Sequence, residues 1–222
     1  MPTQAYWVEV DGKKVRVPSV TTVLKIAGDK GGLMNWYFKS GKEAMRLELE
    51  ENQGPFNSVW DLPKNAAEVG TITHAMIEAH LHKVAFTRDL YEQASLAEAD
   101  AAFAAWQRWA AARQFEVREI EYSSTSKRHR YGGTLDLAMS DGERTIVDWK
   151  TGSGIYADAI MQIAAYAHLW NEHHPKERAQ AVAILRLGKV DGSHHWHSWP
   201  ADSPTIATAW KAFLAARELY DA

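Results

Sequence analysis

The fold of this chain is decided by residues 131–150, which read YGGTLDLAMSDGERTIVDWK. Apolar and polar residues alternate on both sides of a central Asp-Gly turn signal, and this pattern predicts a β-hairpin. Residues two apart in a strand share a face, so Asp148 and Lys150 of the second strand are expected to project together. In the first strand, the two leucines that flank Asp136 are expected on one face and Asp136 on the other.

The length of the hairpin loop decides whether the two aspartates meet. A two-residue turn centred on Asp141-Gly142 would pair Asp136 with Val147 and place the aspartates on opposite faces of the sheet. A three-residue loop that ends in Gly142, in the left-handed conformation, would pair Thr134 with Asp148 and place them on one face. We therefore expect a three-residue loop, or a bulge with the same parity.

Two facing carboxylates repel each other unless a cation lies between them. Because oxygen ligands without cysteine favour a hard ion, Asp136 and Asp148 predict a site for Mg²⁺ or Mn²⁺, with the backbone carbonyl of Trp149 as a third ligand. Lys150 beside such a site can pair with phosphate, orient a water or stabilise charge on phosphorus. Surface ion pairs are the alternative for a lone Asp-x-Lys triplet, and the Gly133-x-x-Asp partner in an apolar strand favours the catalytic interpretation.

A predicted helix over residues 65–83 carries His74 and Glu78, four positions apart. That spacing places both side chains on one face of the helix, where they could serve one site. A surface histidine is the alternative, because His80 and His82 follow closely in the same segment.

A later predicted helix, residues 157–171, carries Gln162 and Tyr166 at the same spacing. An amide and a phenol on one face can donate hydrogen bonds to phosphate oxygens, and the tyrosine ring can pack on a sugar or base. Core packing is the alternative for a tyrosine on an apolar helix.

Four sequence blocks together resemble the PD-(D/E)XK nuclease superfamily and, within it, the RecB-like exonuclease branch. In chain order they are GTITHAMIE at 70–78, GTLD at 133–136, IVDWKTG at 146–152 and QIAAY at 162–166. PSVTTVL at 18–24 is also similar to the opening of such proteins. The resemblance implies an α/β (α+β) fold with a restriction-endonuclease-like αβββαβ core, in which helices flank a mixed central sheet and an N-terminal helical arm precedes it.

The resemblance also implies a role for each block. The ligands it implies for one or two Mg²⁺ or Mn²⁺ ions are His74, Asp136, Asp148 and the backbone carbonyl of Trp149. Asp136, Asp148 and Lys150 would be catalytic, with Lys150 activating or orienting the attacking water. Gln162 and Tyr166 would position the scissile phosphate.

Glu119 and Glu121 both lie on an alternating segment, residues 115–123, and by strand periodicity they point the same way. In the family, an acidic residue on this strand helps to hold a second metal ion or a metal-bound water. The alignment favours Glu119 as this catalytic acid, and Glu121 stays open. Either residue could instead be a solvated edge residue.

Further helices are expected at residues 33–50 and 90–113 and from Ser19, and strands at 6–17, 180–187 and 194–199, before a closing helix at 203–220. The expected organisation is one nuclease domain over residues 1–222, with an N-terminal hairpin and helical arm (1–64) and a nuclease core (65–222). Residues 52–57 are expected to form a mobile loop. Trp36, Tyr37, Trp106 and Trp109 could stack on bases, but their helical spacing favours the core.

Composition bounds the class of protein. An apolar content of 46% with ten tryptophans predicts a chain that is folded throughout. No apolar run is long enough to cross a bilayer and the start lacks signal-peptide features, so a cytoplasmic location is expected. The absence of cysteine excludes the cysteine-bound iron–sulfur cluster of several RecB-like exonucleases, so the chain resembles the cluster-free members.

A net charge of −3 does not indicate nucleic-acid binding, so any surface that binds nucleic acid must be a local cluster of basic residues. The basic run Lys127, Arg128, His129 and Arg130 precedes the hairpin strand of Asp136, and Lys13, Lys14 and Arg16 lie in the N-terminal hairpin. Both clusters could line an access groove, although a solvated loop is the usual reading of a charge run. The alternating histidines of His194–His197 could bind zinc, but a polar edge strand explains them as well.

These observations predict a metal-dependent DNA exonuclease acting on single strands or duplex ends, in recombination, repair or phage DNA processing. An endonuclease on the same centre, or a nucleic-acid-binding module without turnover, are the alternatives. A recombination or helicase partner is compatible with the sequence but is not specified by it. Polarity, strand preference, DNA against RNA and oligomeric state are left open.

Overall fold

A five-stranded mixed β-sheet forms the centre of the structure, a computed structural model that describes residues 5–27 and 62–222. The described strands are β1 (Tyr6–Val10), β2 (Lys13–Val17), β3 (Glu116–Ser126), β4 (Tyr131–Ser140), β5 (Arg144–Lys150), β6 (Ala181–Leu187) and β7 (His194–Pro200). The described helices are α1 (Val20–Ala27), α2 (Leu62–Leu81), α3 (Gln93–Ala111), α4 (Ala157–His173) and α5 (Pro204–Asp221).

The strands of the main sheet lie in the order β3-β4-β5-β6-β7. β5 and β6 are parallel because α4 carries the chain back across the sheet between them, and the other neighbouring strands are antiparallel. The elements α3-β3-β4-β5-α4-β6 follow the order of the predicted αβββαβ core. The predicted mixed sheet flanked by helices is therefore confirmed.

Helices cover both faces of this sheet. On one face, α1, α4 and α5 bury an apolar cluster that includes Val23, Ile163 and Phe213. On the other face, α2 and α3 bury a cluster that includes Trp106 and Trp109, which are 1% and 3% exposed. The core interpretation of these two tryptophans is confirmed. No helix in residues 5–27 and 62–222 is long and apolar enough to cross a membrane.

Two hairpins show how local sequence sets the turns. In the β1–β2 hairpin, Asp11 and Gly12 both have positive φ, as a two-residue turn of this kind requires. In the β4–β5 hairpin, Ser140 pairs with Arg144 and leaves a three-residue loop with Gly142 at its centre, at φ 98°.

The expected parity of the β4–β5 hairpin is confirmed, but the expected partners are wrong. Leu137 pairs with Val147, and continuing this register places Asp136, rather than Thr134, opposite Asp148. The shift arises because Gly142 takes its left-handed conformation in the middle of the loop instead of at its end. The two aspartates still share a face.

The β3–β4 ribbon changes the layer against which it packs partway along its length. Leu135 packs with the α4 layer, whereas Leu137, two residues further, packs with the α3 layer. Their partners on β3, Tyr122 and Ile120, divide in the same way. Between those two, Glu121 has a φ of 47°, in the left-handed region. The expectation that the two leucines share a face is therefore wrong, because regular alternation does not continue through this point.

The described helices begin and end within a few residues of their predicted bounds. The closing helix α5 is capped by Ser203, whose hydroxyl accepts a hydrogen bond from the Ile206 amide. The helix expected at residues 33–50, the loop at 52–57 and the aromatic pair Trp36 and Tyr37 lie outside the described residues.

Candidate metal centre

Three potential metal ligands converge where the β3–β4 ribbon changes layers. The His74 imidazole from α2 and the carboxylates of Glu121 from β3 and Asp136 from β4 offer ligand atoms that all lie within 4.8 Å of one another. His74 Nδ1 is 3.4 Å from Asp136 Oδ1. Gly70, one turn before His74, faces Thr151: a Cβ there would lie 3.4 Å from Thr151 Oγ1, an ordinary contact.

A second group of polar side chains lies beside this cluster. Asp148 is buried, and the Lys150 ammonium is 2.7 Å from its Oδ2. Lys150 Nζ also donates to Gln162 Oε1 at 2.8 Å, and Gln162 Nε2 donates to the Tyr166 hydroxyl at 2.9 Å. The predicted residues of β5 and α4 therefore form one continuous chain of polar contacts.

The backbone of Trp149 joins the two groups. Its N–H donates to Asp136 Oδ2 at 2.7 Å, which orients that carboxylate. Its carbonyl oxygen, the predicted backbone ligand, lies 3.2 Å from His74 Nε2. The Trp149 side chain is buried on the α3 layer, so packing holds this backbone segment in place.

The electrostatics of the cluster show an excess of negative charge in a buried site. Burial lowers the pKa of the His74 imidazole, but the Asp136 and Asp148 carboxylates more than offset this and raise it to about 9. Burial and the neighbouring Asp136 carboxylate raise the pKa of Glu121 to about 8. Burial also raises the pKa of Asp148 to about 6, against the opposing effect of Lys150. At neutral pH this cluster therefore holds protons that a cation could replace.

Asp136 behaves differently from the other two carboxyls. Burial raises its pKa, but the charge of His74 and the hydrogen bonds from His74 and Trp149 outweigh burial, and the pKa is lowered. For Lys150, burial lowers the pKa, and the charges of Asp148 and Asp136 outweigh burial and raise it. Lys150 is therefore a stable cation next to the carboxylates.

The structure places Glu121, and not the favoured Glu119, in the cluster with His74 and Asp136. Glu119 is exposed; burial raises the pKa of the Tyr122 phenol, and the nearby Glu119 charge adds to that rise. Glu121 is the residue that reaches His74 and Asp136. Strand alternation predicts that the two glutamates point the same way, but a register shift between Val117 and Glu119 and the positive φ of Glu121 break that alternation.

The other predicted site residues lie outside the cluster of His74, Glu121 and Asp136. Glu78 is not in the three-residue cluster, although its charge contributes to the raised pKa of Glu121. Tyr166 is 5% exposed, and a Cβ on Gly133 would overlap its ring, so its ring packs in the core rather than on a base. Lys127 and Arg128 are exposed on the β3–β4 loop.

The histidines of β7 form no comparable site. His194, His195 and His197 are exposed on the edge strand of the sheet. Within the described ranges, His74, Glu121 and Asp136 are the one group of three or more residues that could hold a metal ion. The polar edge-strand interpretation therefore agrees with the structure.

Two solved structures are similar to this chain. An Eubacterium rectale protein described as an exonuclease candidate is 11% identical, with a TM-score of 0.43 over 78% of this chain and 72% of that chain. The structure of SSO0001 is 13% identical, with a TM-score of 0.33 over 84% of this chain and 87% of that chain. No curated protein matches the sequence.

The sequence itself matches the family model of the PD-(D/E)XK nuclease superfamily over residues 47–217. The chain belongs to the PD-(D/E)XK nuclease superfamily. The matched range contains every element of the main sheet and all the residues of the candidate metal centre.

Proposed function

We propose that this protein is a Mg²⁺- or Mn²⁺-dependent DNA exonuclease of the RecB-like type. The observation that supports it best is the meeting of His74, Glu121 and Asp136 beside the Asp148–Lys150 pair. The histidine from the helix before the sheet is the feature that favours the RecB-like branch.

The residues of the centre fit a hard divalent cation. They offer carboxylate oxygens, one imidazole and one backbone carbonyl, and the chain contains no cysteine that could hold an iron–sulfur cluster. Asp148 is buried, and its Oδ2 lies 2.7 Å from the Lys150 ammonium. One or two ions would be held by His74, Glu121, Asp136, Asp148 and the Trp149 carbonyl. Bound there, a divalent ion supplies Lewis-acid polarisation of the phosphate and a more acidic water.

Lys150 is the residue that would act on the substrate directly. Its ammonium is held between Asp148 and Gln162, and 28% of its side chain remains exposed. From this position it can orient the attacking water and stabilise the negative charge that develops on phosphorus. Hydrolysis would proceed by in-line attack of water.

Gln162 and Tyr166 are assigned a positioning role in this proposal. Tyr166 is buried and hydrogen-bonded to Gln162, and Gln162 accepts a hydrogen bond from Lys150. These two hydrogen bonds fix the direction of the Lys150 ammonium. This differs from the direct phosphate contact that the sequence predicts for the two residues.

Cleavage assays test the proposed function. Purified protein would be incubated in Mg²⁺ or Mn²⁺ with 5′- and 3′-labelled single strands, duplexes and closed circles, alongside Asp136→Asn and a matched Asp202→Asn control. Asp202 is exposed on the turn after β7. Mononucleotide ladders that disappear in Asp136→Asn alone are expected. Cut circles would replace the exonuclease proposal by an endonuclease, and binding without cleavage would replace it by a binding module.

The biological setting is proposed from the resemblance alone. In this setting the enzyme acts on DNA ends in recombination, repair or phage DNA processing. A helicase or recombination partner would extend this setting. Digestion of RNA in preference to DNA in the same assay would contradict it.

A further inference from the structure

A cavity of about 400 Å³ lies among the β1–β2 hairpin, the start of α1 and the end of α5. Its polar lining includes three arginines, the hydroxyls of one serine and one threonine, and two phenols: Arg16, Arg130, Arg217, Ser19, Thr22, Tyr6 and Tyr220. None of these residues belongs to the metal centre. Two of the arginines, Arg16 and Arg130, come from the two basic clusters that the sequence predicts to share a groove.

The charge of this arginine cavity is positive. Among its lining residues, Asp221 is the one acid set against three guanidinium groups. Arg217 is 6% exposed; its Nε donates to the Arg130 carbonyl at 2.9 Å, and its Nη1 forms an ion pair with Asp221 Oδ2 at 2.8 Å. With Asp221 paired to Arg217, the guanidinium groups of Arg16 and Arg130 leave an excess of positive charge that an anion would offset, and the planar fork of a guanidinium matches phosphate oxygens.

The start of α1 adds to the attraction for an anion. Ser19 caps this helix, and its hydroxyl accepts from the Thr22 amide at 3.1 Å. Both hydroxyls line the cavity. The first-turn amides of an α-helix have no intrahelical acceptors and the helix dipole is positive at this end, so a phosphate placed here is stabilised.

The arginine cavity is tied to the strand that carries Asp136. Tyr6, in the cavity wall, packs on Gly132, where an added Cβ would overlap its ring, and Tyr6 hydrogen-bonds through its hydroxyl to Thr134 Oγ1 at 2.8 Å. The Gly132 amide donates to the Pro18 carbonyl at 3.0 Å. From Gly132 to Asp136 the strand rises by about 13 Å. One strand therefore joins the wall of the arginine cavity to Asp136.

We propose that the arginine cavity binds a phosphate group of the nucleic-acid substrate, away from the bond that is hydrolysed. The proposal rests on the proposed nuclease function for the identity of its ligand. The phosphate is either the 5′-terminal phosphate of the strand or an internal phosphodiester, because both present the same oxygens to the arginines. A subsite outside the metal centre holds the strand while the metal centre acts on it.

Arg16→Gln and Arg130→Gln test the proposal, because both side chains are exposed and their loss leaves the core unchanged. Arg88→Gln is the matched control, since Arg88 is exposed and pairs with Asp100 of α3, in the layer on the other face of the sheet. Binding of short oligonucleotides with a 5′-phosphate or a 5′-hydroxyl would be measured by fluorescence anisotropy in EDTA, at salt concentrations from about 50 to 200 mM.

Each cavity variant is expected to weaken binding about tenfold and to reduce the slope of log affinity against log salt by about one. Loss confined to the 5′-phosphorylated strand identifies the terminal phosphate, and equal loss for both strands identifies an internal one. Affinities and slopes equal to those of Arg88→Gln would overturn the subsite.

Hydrolysis of bis(p-nitrophenyl) phosphate in Mn²⁺ separates this proposal from the proposed function. This small diester needs the metal centre alone, so the Arg16 and Arg130 variants are expected to hydrolyse it at the parent rate. If the parent protein cleaves neither DNA nor this diester but binds strands through the two arginines, the nuclease proposal fails and the subsite stands. If the parent protein cleaves DNA and both variants bind strands as the parent does, the subsite fails and the nuclease proposal stands.

Discussion

Replacing Glu121 by Gln should change the number of protons that the protein releases when it binds a divalent ion. With pKa values of about 9 for His74 and about 8 for Glu121, both groups are almost fully protonated at pH 7 in the metal-free protein. Asp148, at about 6, is mostly ionised and contributes little. Because the cation binds the deprotonated forms, its uptake should release about two protons at pH 7.

Glu121→Gln removes one of these two groups, so release should fall to about one proton at pH 7. Release by the parent protein should also fall below about one proton at pH 9, where Glu121 is already ionised and His74 is half deprotonated. The measurement is titration calorimetry with Mn²⁺ in two buffers of different ionisation enthalpy. The difference between the two apparent enthalpies reports the proton count.

Glu119→Gln is the matched control, because Glu119 lies two residues away on the same strand but is exposed. It should release as many protons as the parent protein. A Glu121 variant that keeps the full release, or a Glu119 variant that loses one proton, would refute the assignment of Glu121 to the centre.

The stability of the metal-free protein should fall as pH rises from 5 to 9. The raised pKa of His74 gives stability that is lost as pH rises through about 9, and ionising the Glu121 carboxyl requires more free energy in the folded protein than in the unfolded chain. Thermal melts in EDTA across this pH range would show the fall, and a flat profile would contradict it. Lys150→Met should lower kcat on DNA roughly 10²–10³-fold while Mn²⁺ still binds, because the lost ammonium would stabilise the negative charge at phosphorus. Single-turnover cleavage measures the rate, and parallel calorimetry measures Mn²⁺ binding. A near-normal rate would remove Lys150 from the mechanism. Gln162→Ala should lower kcat about tenfold with oligonucleotide affinity unchanged, as expected for a side chain that aims Lys150; a loss of affinity instead would indicate direct phosphate contact. Gly133→Ala should destabilise the fold by about 1–3 kcal/mol, because its Cβ would lie 2.8 Å from Tyr166 Cε1; a denaturant midpoint equal to that of the parent would mean that the Tyr166 ring moves freely.

The sequence predicts most of the fold because its patterns are local. The Asp-Gly turns, the alternating strands and the apolar helix faces each depend on residues within a few positions of one another. These patterns place β4, β5 and α4 correctly, and with them the spacing of Asp148, Lys150 and Gln162. The parity of the β4–β5 loop also follows from the requirement that the two aspartates share a face.

The errors concern long-range register and strand irregularity. Alternation treats Glu119 and Glu121 as equivalent, but one register shift and one positive φ bring Glu121 alone to His74. The burial of Tyr166 depends on how closely α4 approaches Gly133, which helical periodicity does not report. The arginine cavity joins residues more than two hundred positions apart, from Arg16 to Tyr220.

By itself, the sequence determined the mixed α/β class, the β4–β5 hairpin with Asp136, Asp148 and Lys150, and the hard oxygen character of the candidate ligands, because turn formation, strand alternation and ligand hardness are properties of short segments. Only the tertiary structure decided which glutamate joins the centre, that Gln162 and Tyr166 support Lys150, and that Arg16, Arg130 and Arg217 share a cavity. Those outcomes depend on the packing of helices against a sheet whose β3–β4 ribbon reverses its facing at Glu121, and packing is set by the whole chain.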